Sequence, residues 1–374
     1  MSKIQMTDLK SQYNSIKPEI DAAIQSVINE SAFIQGNQVT LFEEEIAQYF
    51  GTKFALGVAS GTDALVLALT ALGIGSKDEV ITTPFTFIAT TEAISRTGAT
   101  PVFCDIDPVT CNIDPDKIES KITPATKALL PVHLYGMPCQ MDKIITIAAK
   151  HKLKVVEDCA QSFGSEYRGK KIGSFGDCGC LSFFPAKTLG CYGDGGMVIT
   201  DNEEIAQKLK CLRNHGSVKK YYYGMHGFNS RLDTIQAAIL RVKLRYIDEW
   251  INKRIENAKY YNELLGELAQ GFDRGHPAEQ SVPCYKHTYN YYTIRIKNKK
   301  RQEIQNRLKE KGIPSTIYYP LCLHLQEIYK DLGYKKGDFP IAETAQEEVL
   351  SLPMCPELTK EQILEISIAL KETL

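Results

Sequence analysis

Val155-Val156-Glu157-Asp158 is a short apolar run that ends in acids. A buried strand that delivers a carboxylate to the carboxyl-end rim of an α/β sheet has this pattern. Ser182-Phe183-Phe184-Pro185-Ala186-Lys187 does the same for an amine, since its apolar run stops at a proline and Lys187 follows. A glycine-rich turn, Gly190 to Gly196, comes next. A lysine condenses with an aldehyde only when it can shed its proton, which burial and nearby positive charge promote. A carboxylate beside a heteroaromatic nitrogen keeps that nitrogen protonated, by about one to three pKa units. The ring can then withdraw electrons from a carbon that loses its proton. An anchored acid and a strand-end amine are therefore the pair that pyridoxal phosphate chemistry requires, and amino-group transfer is the expected reaction. Plainer readings stand beside these: most lysines are solvated surface charges, and a strand-end aspartate also serves as a helix cap. Glu157 points to the opposite face from Asp158 and reads as structural.

A phosphorylated cofactor also needs donors, and backbone amides at a helix start supply them. Gly61-Thr62, just before an apolar helical stretch, fits that need, with the Thr62 hydroxyl and Ser182 adding bonds. Phe87, in Pro84-Phe85-Thr86-Phe87, is placed either to stack on a ring or to fill the core. Two other glycine-rich stretches are set aside. Gly164 to Lys171 nearly spells a phosphate-binding loop, but Lys171 stands where Ser or Thr is required. Gly190 to Gly196 lacks dinucleotide-fingerprint spacing and leads into a strand.

Positioning these groups requires strands alternating with helices. Strand patterns occur at Phe54-Ala59, Val80-Thr83, Pro101-Asp105, Ala128-His133, Lys154-Asp158, Gly179-Phe184 and Met197-Thr200. Helical patterns fill most of the gaps, beginning with Ala64 to Leu72, which is the rhythm of a mainly parallel sheet covered on both faces. A helix over 42–50 should stop at Gly51, and Asp201-Asn202-Glu203-Glu204 resembles a capping box opening a helix to Leu212. Ile235 to about Leu265 reads as one long or broken helix bridging to a small α+β unit, which contains a strand at Tyr289-Ile296 and helices over 301–311 and 359–373. The expected division is a large α/β domain over 1–246 and a small C-terminal domain over 247–374, consistent with 374 residues. A net charge of −1 gives no field for nucleic acid or acidic membrane. No apolar run approaches the roughly 20 residues that span a bilayer, and the Met1-Met6 opening has no signal-peptide core, so a cytoplasmic protein is expected. Eleven cysteines lie scattered in buried-looking segments and read as reduced core residues. Cys178-Gly179-Cys180 lacks further ligands at zinc spacing, and no metal site is expected.

Taken together the residues resemble the DegT/DnrJ/EryC1/StrS family of sugar aminotransferases over nearly the whole chain. The resemblance is carried by Ser60-Gly61-Thr62-Asp63-Ala64-Leu65, Glu157-Asp158-Cys159-Ala160-Gln161-Ser162, Ser182 to Lys187 with Gly193-Asp194-Gly195-Gly196, Arg213-Asn214-His215-Gly216 and Asn229-Ser230-Arg231-Leu232-Asp233. It implies a fold type I pyridoxal phosphate-dependent transferase, like aspartate aminotransferase. Lys187 matches the cofactor-bearing lysine, Asp158 the partner of the ring nitrogen and Gln161 the residue near the ring oxygen. Thr62, Ser182 and the Gly61 amide match the phosphate cradle, and Phe87 the ring-stacking position, where other members carry Tyr or Trp. Asn229 matches a residue supplied to the phosphate by a neighbouring subunit, which implies a homodimer with shared active sites.

The resemblance further implies a ping-pong cycle between pyridoxal and pyridoxamine phosphate. The amino group of L-glutamate passes to a nucleotide-linked keto sugar for surface polysaccharide or glycoside biosynthesis. The Gly-Asp-Gly-Gly loop looks like that of members aminating C3, especially those using UDP-2-acetamido-3-keto-glucuronic acid; many C4 enzymes carry Glu in place of Asp194. The alternatives are a C4 aminotransferase on a UDP-, dTDP- or GDP-4-keto-6-deoxy sugar and a pyridoxamine-dependent sugar dehydratase, whose members carry His at the position of Lys187. A non-catalytic regulator is a further reading. Arg231, Tyr318, Tyr319 and His324 are the substrate-side candidates, with Arg231 meeting a sugar carboxylate or the diphosphate. The family usually has His at Tyr318 and Pro at Cys322.

Overall fold

A computed structural model describes residues 4–266, 272–273, 284–297 and 300–373. Met1 to Lys3 of the opening segment lie outside the described residues. Seven strands form the main sheet: β1 (Phe54–Val58), β2 (Glu79–Thr82), β3 (Thr100–Phe103), β4 (Thr126–Leu129), β5 (Lys154–Asp158), β6 (Cys178–Ser182) and β7 (Gly196–Thr200). Their spatial order is β1-β7-β6-β5-β4-β2-β3. Pairings from β3 across to β6 are parallel, whereas β7 runs antiparallel to both β6 and β1. Two antiparallel steps restore the direction, so β1, β5 and β6 all point the same way. Their carboxyl ends share one rim, and Gly61, Asp158 and Ser182 meet there although the chain separates them widely.

Successive residues of each strand face opposite sides, and both sides are apolar. Val156, Leu56 and Val58 join one core cluster, and Val155, Ala55 and Leu181 the other. The helix Gly61–Ala71 lies in the first and is apolar all round, with every residue from Ala64 to Leu69 buried. It begins three residues earlier than its apolar pattern suggests, because Ser60 caps it: the Asp63 amide donates to Ser60 Oγ at 3.1 Å. The expected turn is thus the first turn of the helix, which leaves early amides facing the rim.

Other elements differ locally. Asn37–Phe50 ends at Gly51, whose φ of +67° is the left-handed conformation glycine adopts readily. The helix Glu203–Leu212 is capped by Asn202, which accepts from the amides of Glu204 and Ile205, while Asp201 accepts from Lys53 instead. The long bridging helix is two helices, Thr234–Leu244 and Ile247–Leu265. The first packs on the helices Lys17–Glu30 and Asn37–Phe50, whereas the second packs on the C-terminal helix Lys360–Thr373, so a break between them serves two directions. The stretch resembling a phosphate loop is an antiparallel hairpin, Glu166–Tyr167 with Lys170–Lys171, turned by Arg168 and Gly169 at positive φ.

A second sheet pairs Tyr292–Ile296 with Phe272–Asp273 and Val349–Leu352. Its cluster holds Ala258, Tyr261 and Leu265, whereas Ile247, Trp250 and Ile251 of the same helix belong to the main sheet. Core membership changes within that helix. Cys322, Phe339 and Val349 return to the main cluster, so the C-terminal segment packs back onto the large sheet. No helix among the described residues is long and apolar enough to cross a membrane.

Glu157 is fully buried. Its carboxylate accepts from the amides of Gly173 (2.7 Å), Phe175 and Gly176 (2.8 Å each), tying the loop before β6 to β5. His133 Nε2 lies 3.1 Å from the same carboxylate and its Nδ1 accepts from the Cys139 amide at 3.0 Å. With Cys159 these residues form a group of potential metal ligands, but both imidazole nitrogens are already bonded, so the ring has no lone pair left for an ion. Cys178 and Cys180 are buried in the core.

Candidate active site

The shared rim opens into a cavity of about 420 Å³ whose lining includes Gly61, Thr62, Phe87, Asp158, Gln161, Ser182 and Lys187. Thus seven residues expected at the site from sequence are brought together, and Tyr318 and Tyr319 line the cavity with them. Asp158 is 5% exposed. One carboxylate oxygen, Oδ1, accepts from the Ala160 amide at 3.1 Å and the other, Oδ2, from the Thr90 hydroxyl at 2.9 Å. Burial pushes its pKa up, and those two donors and the Lys187 charge push back. Lys187 follows the end of β6, its own amide bonded to the Phe184 carbonyl at 2.8 Å. Its side chain is part-buried and lines the cavity, and the surrounding protein lowers its pKa to about 8 against the pull of Asp158.

Gln161 joins the acid side of the cavity to the tyrosine wall. Its Oε1 accepts from the Tyr135 amide at 2.8 Å and its Nε2 donates to the Tyr319 hydroxyl at 2.9 Å. Burial holds the Tyr319 phenol far above its ordinary pKa, so it remains protonated. The Tyr135 hydroxyl bonds the Tyr318 carbonyl, and the Tyr318 ring lies against Tyr291 with centroids 4.2 Å apart. Phe87 is 53% exposed and its ring is 6.1 Å from that of Tyr319.

At the other end, the first turn of Gly61–Ala71 closes on β6. A Cβ at position 61 would lie 2.6 Å from Ser182 Cβ, so only glycine allows this approach. Nearby, a Cβ on Gly196 would sit 2.2 Å from the Ser60 carbonyl oxygen. The result is a narrow cradle of helix-start amides and hydroxyls, suited to a phosphate.

Three expected residues lie elsewhere. His324 is the clear correction: it is 1% exposed, packs against both Phe103 and Phe339, and places Nε2 3.1 Å from Glu343, outside the cavity lining. The chain turns inward there because a 3-10 turn, Leu323–Leu325, begins immediately after Cys322, whose amide donates to Gln346 at 2.7 Å. Asn229 is exposed and bridges to Asn214, outside its own cavity lining. Arg231 also lies outside it, donating to Asn214 Oδ1 at 3.0 Å. Conversely, Thr90, Tyr291 and Asp194 line the cavity. Thr90 was legible in principle, since it falls one turn beyond Phe87 in the helix Ile88–Arg96.

Residues 14–371 match the DegT/DnrJ/EryC1/StrS aminotransferase family. The chain belongs to that family. The pleiotropic regulatory protein of Geobacillus stearothermophilus is 50% identical over 96% of this chain and 95% of that one. The UDP-N-acetyl-3-dehydro-alpha-D-glucosamine 3-aminotransferase of Acidithiobacillus ferrooxidans is 44% identical over 99% and 98% of the two chains. The crystal structure of S. venezuelae DesV in complex with a ketimine intermediate superimposes with a TM-score of 0.95 at 41% identity, covering 100% of this chain and 98% of that one. The protein is a pyridoxal phosphate-dependent aminotransferase with the fold of this family. Its residues fit the cofactor: a cradle that excludes a Cβ at Gly61, a buried carboxylate, and an amine of lowered pKa all open onto one cavity.

Proposed function

We propose that this aminotransferase moves the amino group of L-glutamate to C3 of a UDP-linked 2-acetamido-3-keto sugar. Lys187 would tether the cofactor and Asp158 would hold its ring nitrogen. The observation that carries the reading is the meeting of the Lys187 amine and the Asp158 carboxylate in one cavity closed by a helix start. Pyridoxal phosphate, when bound, supplies an electron sink for a carbon losing its proton. Thr62, Ser182 and the Gly61 amide would bind the phosphate, Phe87 would cover one ring face, and Gln161 would bond the ring oxygen. Lys187 Nζ would take the proton from the Cα of glutamate, which departs as 2-oxoglutarate, and later deliver a proton to the sugar carbon.

The Acidithiobacillus relative, named for a UDP 3-keto substrate, supports the choice of sugar. Tyr318 and Tyr319, which line the cavity, would meet the pyranose. We further infer that two copies share their sites. Asn229 and Arg231 lie outside their own cavity and follow the hairpin Ser217–Lys219 with Tyr222–Tyr223, where Val218, Tyr221, Tyr222 and Tyr223 are all more than 60% exposed. A second copy covering that apolar patch would receive Asn229 at its phosphate and Arg231 at its sugar. A two-unit organisation with its division close to residue 247 fits the change of core within the helix Ile247–Leu265.

A regulatory role, suggested by the name of the Geobacillus relative, leaves the amine of lowered pKa and the buried acid without a purpose. Incubation with glutamate and a panel of UDP-, dTDP- and GDP-linked 3-keto and 4-keto sugars separates these possibilities. Glutamate-dependent amination of the UDP 3-keto sugars is expected; amination at C4 alone would refute the assigned carbon, and turnover of none of the UDP sugars would refute the assigned substrate. C6-carboxylate and C6-hydroxymethyl versions belong in the panel, because a carboxylate gains from Arg231 and a hydroxymethyl group does not.

The Lys187 amine also sets a pH dependence. Only the neutral amine attacks an aldehyde, and it predominates above about pH 8. Below that value the rate at which cofactor-free protein captures pyridoxal phosphate should fall about tenfold per pH unit, and above it the rate should level off. An ordinary lysine would keep gaining rate toward pH 10. Stopped-flow absorbance between pH 6 and 10 reads the difference.

A further inference from the structure

Thr90 is 1% exposed and stands in the helix Ile88–Arg96 on the side of the cavity. A buried hydroxyl is costly unless it is bonded, so without partners valine, close to it in shape, would serve packing better. The hydroxyl has two partners: Asp158 Oδ2 at 2.9 Å and Thr86 Oγ1 at 3.1 Å. An ionised carboxylate only accepts, and Thr90 has a single proton to give. Thr90 therefore donates to Asp158, and Thr86, itself 2% exposed, donates to Thr90. The order Thr86 to Thr90 to Asp158 is fixed by this count. On the other carboxylate oxygen the Ala160 amide fixes Oδ1, so the carboxylate plane is pinned at both ends.

We propose that Thr90 is a positioning residue whose hydroxyl fixes the Asp158 carboxylate in the orientation that meets the cofactor's ring nitrogen. The proposal rests on the assignment of Asp158 to that nitrogen. The hydroxyl also offsets the burial that works against an ionised acid, since a hydrogen bond to the charged form favours it. Thr90 itself need not touch the ring.

The test is an equilibrium titration of cofactor-free protein with pyridoxamine phosphate and with its 1-deaza analogue, in which a C–H replaces the ring nitrogen. Wild type and Thr90→Ser should prefer pyridoxamine phosphate. Thr90→Val should lose about tenfold or more in affinity for pyridoxamine phosphate, the scale of a hydrogen bond to a charged group, and nothing for the analogue. Thr90→Ala should repeat that selective loss and replaces the valine variant should it fold poorly. An equal loss with both ligands would mean that Thr90 acts on packing, and the proposal would fall. If wild type does not distinguish the two ligands, the assignment of Asp158 fails first and takes the proposal with it.

Discussion

Lys187→Ala should lower turnover by roughly a thousandfold or more while leaving the fold intact. The residue borders an open cavity and its amine makes no contribution to the apolar core, so truncation costs chemistry and little stability. Two functions go together: the covalent tether and the proton carrier. The variant should therefore lack the visible band of lysine-bound pyridoxal phosphate and still bind pyridoxamine phosphate, which needs no tether. Steady-state assay with glutamate, an absorbance scan and a melting curve check all three. A variant that retained most of its turnover would leave the proton transfer to another group.

Asp158→Asn should have the second largest effect, a fall in kcat of about a hundredfold or more with modest change in melting temperature. Asparagine matches the shape, but loses the charge that favours a protonated ring. It also presents an amide donor or acceptor to Thr90 and Ala160, both of which donate to the present carboxylate. One of these bonds must be broken or reversed. Because the effect lies in the reaction, KM for glutamate should move much less than kcat. A rise in KM with kcat unchanged would place Asp158 in substrate binding.

Much of this site could be read in the chain because its residues lie where regular elements end. Asp158 closes an apolar strand and Lys187 follows one, so each position is set by local pattern and by the common direction of β5 and β6. Gly61 and Thr62 were legible as a helix start, although the polar first turn hid where that helix begins. Residues brought in by tertiary contact were harder. His324 has the chemistry of a substrate ligand and lies two residues from Cys322, yet a short 3-10 turn sends it into the core against Glu343. Thr90 looks like any β-branched helix residue until Asp158 arrives from β5, 68 residues away. The break between Leu244 and Ile247 similarly follows from two different packing partners, not from proline or glycine. Asn229 and Arg231 carry no local signal for a cavity they do not line.

A second lysine supplies a competitor for the cofactor. Lys243 is fully buried and its amine is also lowered to about 8 by burial. However, that amine donates to the Gly190 carbonyl at 2.6 Å and lies 4.3 Å from the centre of the Tyr192 ring, so it is engaged in holding the glycine-rich turn. Borohydride reduction of the protein loaded with pyridoxal phosphate, followed by peptide mass mapping, decides between the two amines. The expected product is a single pyridoxyl adduct on the peptide containing Lys187. An adduct on Lys243 or on any other lysine, or no adduct from a protein that holds the vitamin, would contradict the account.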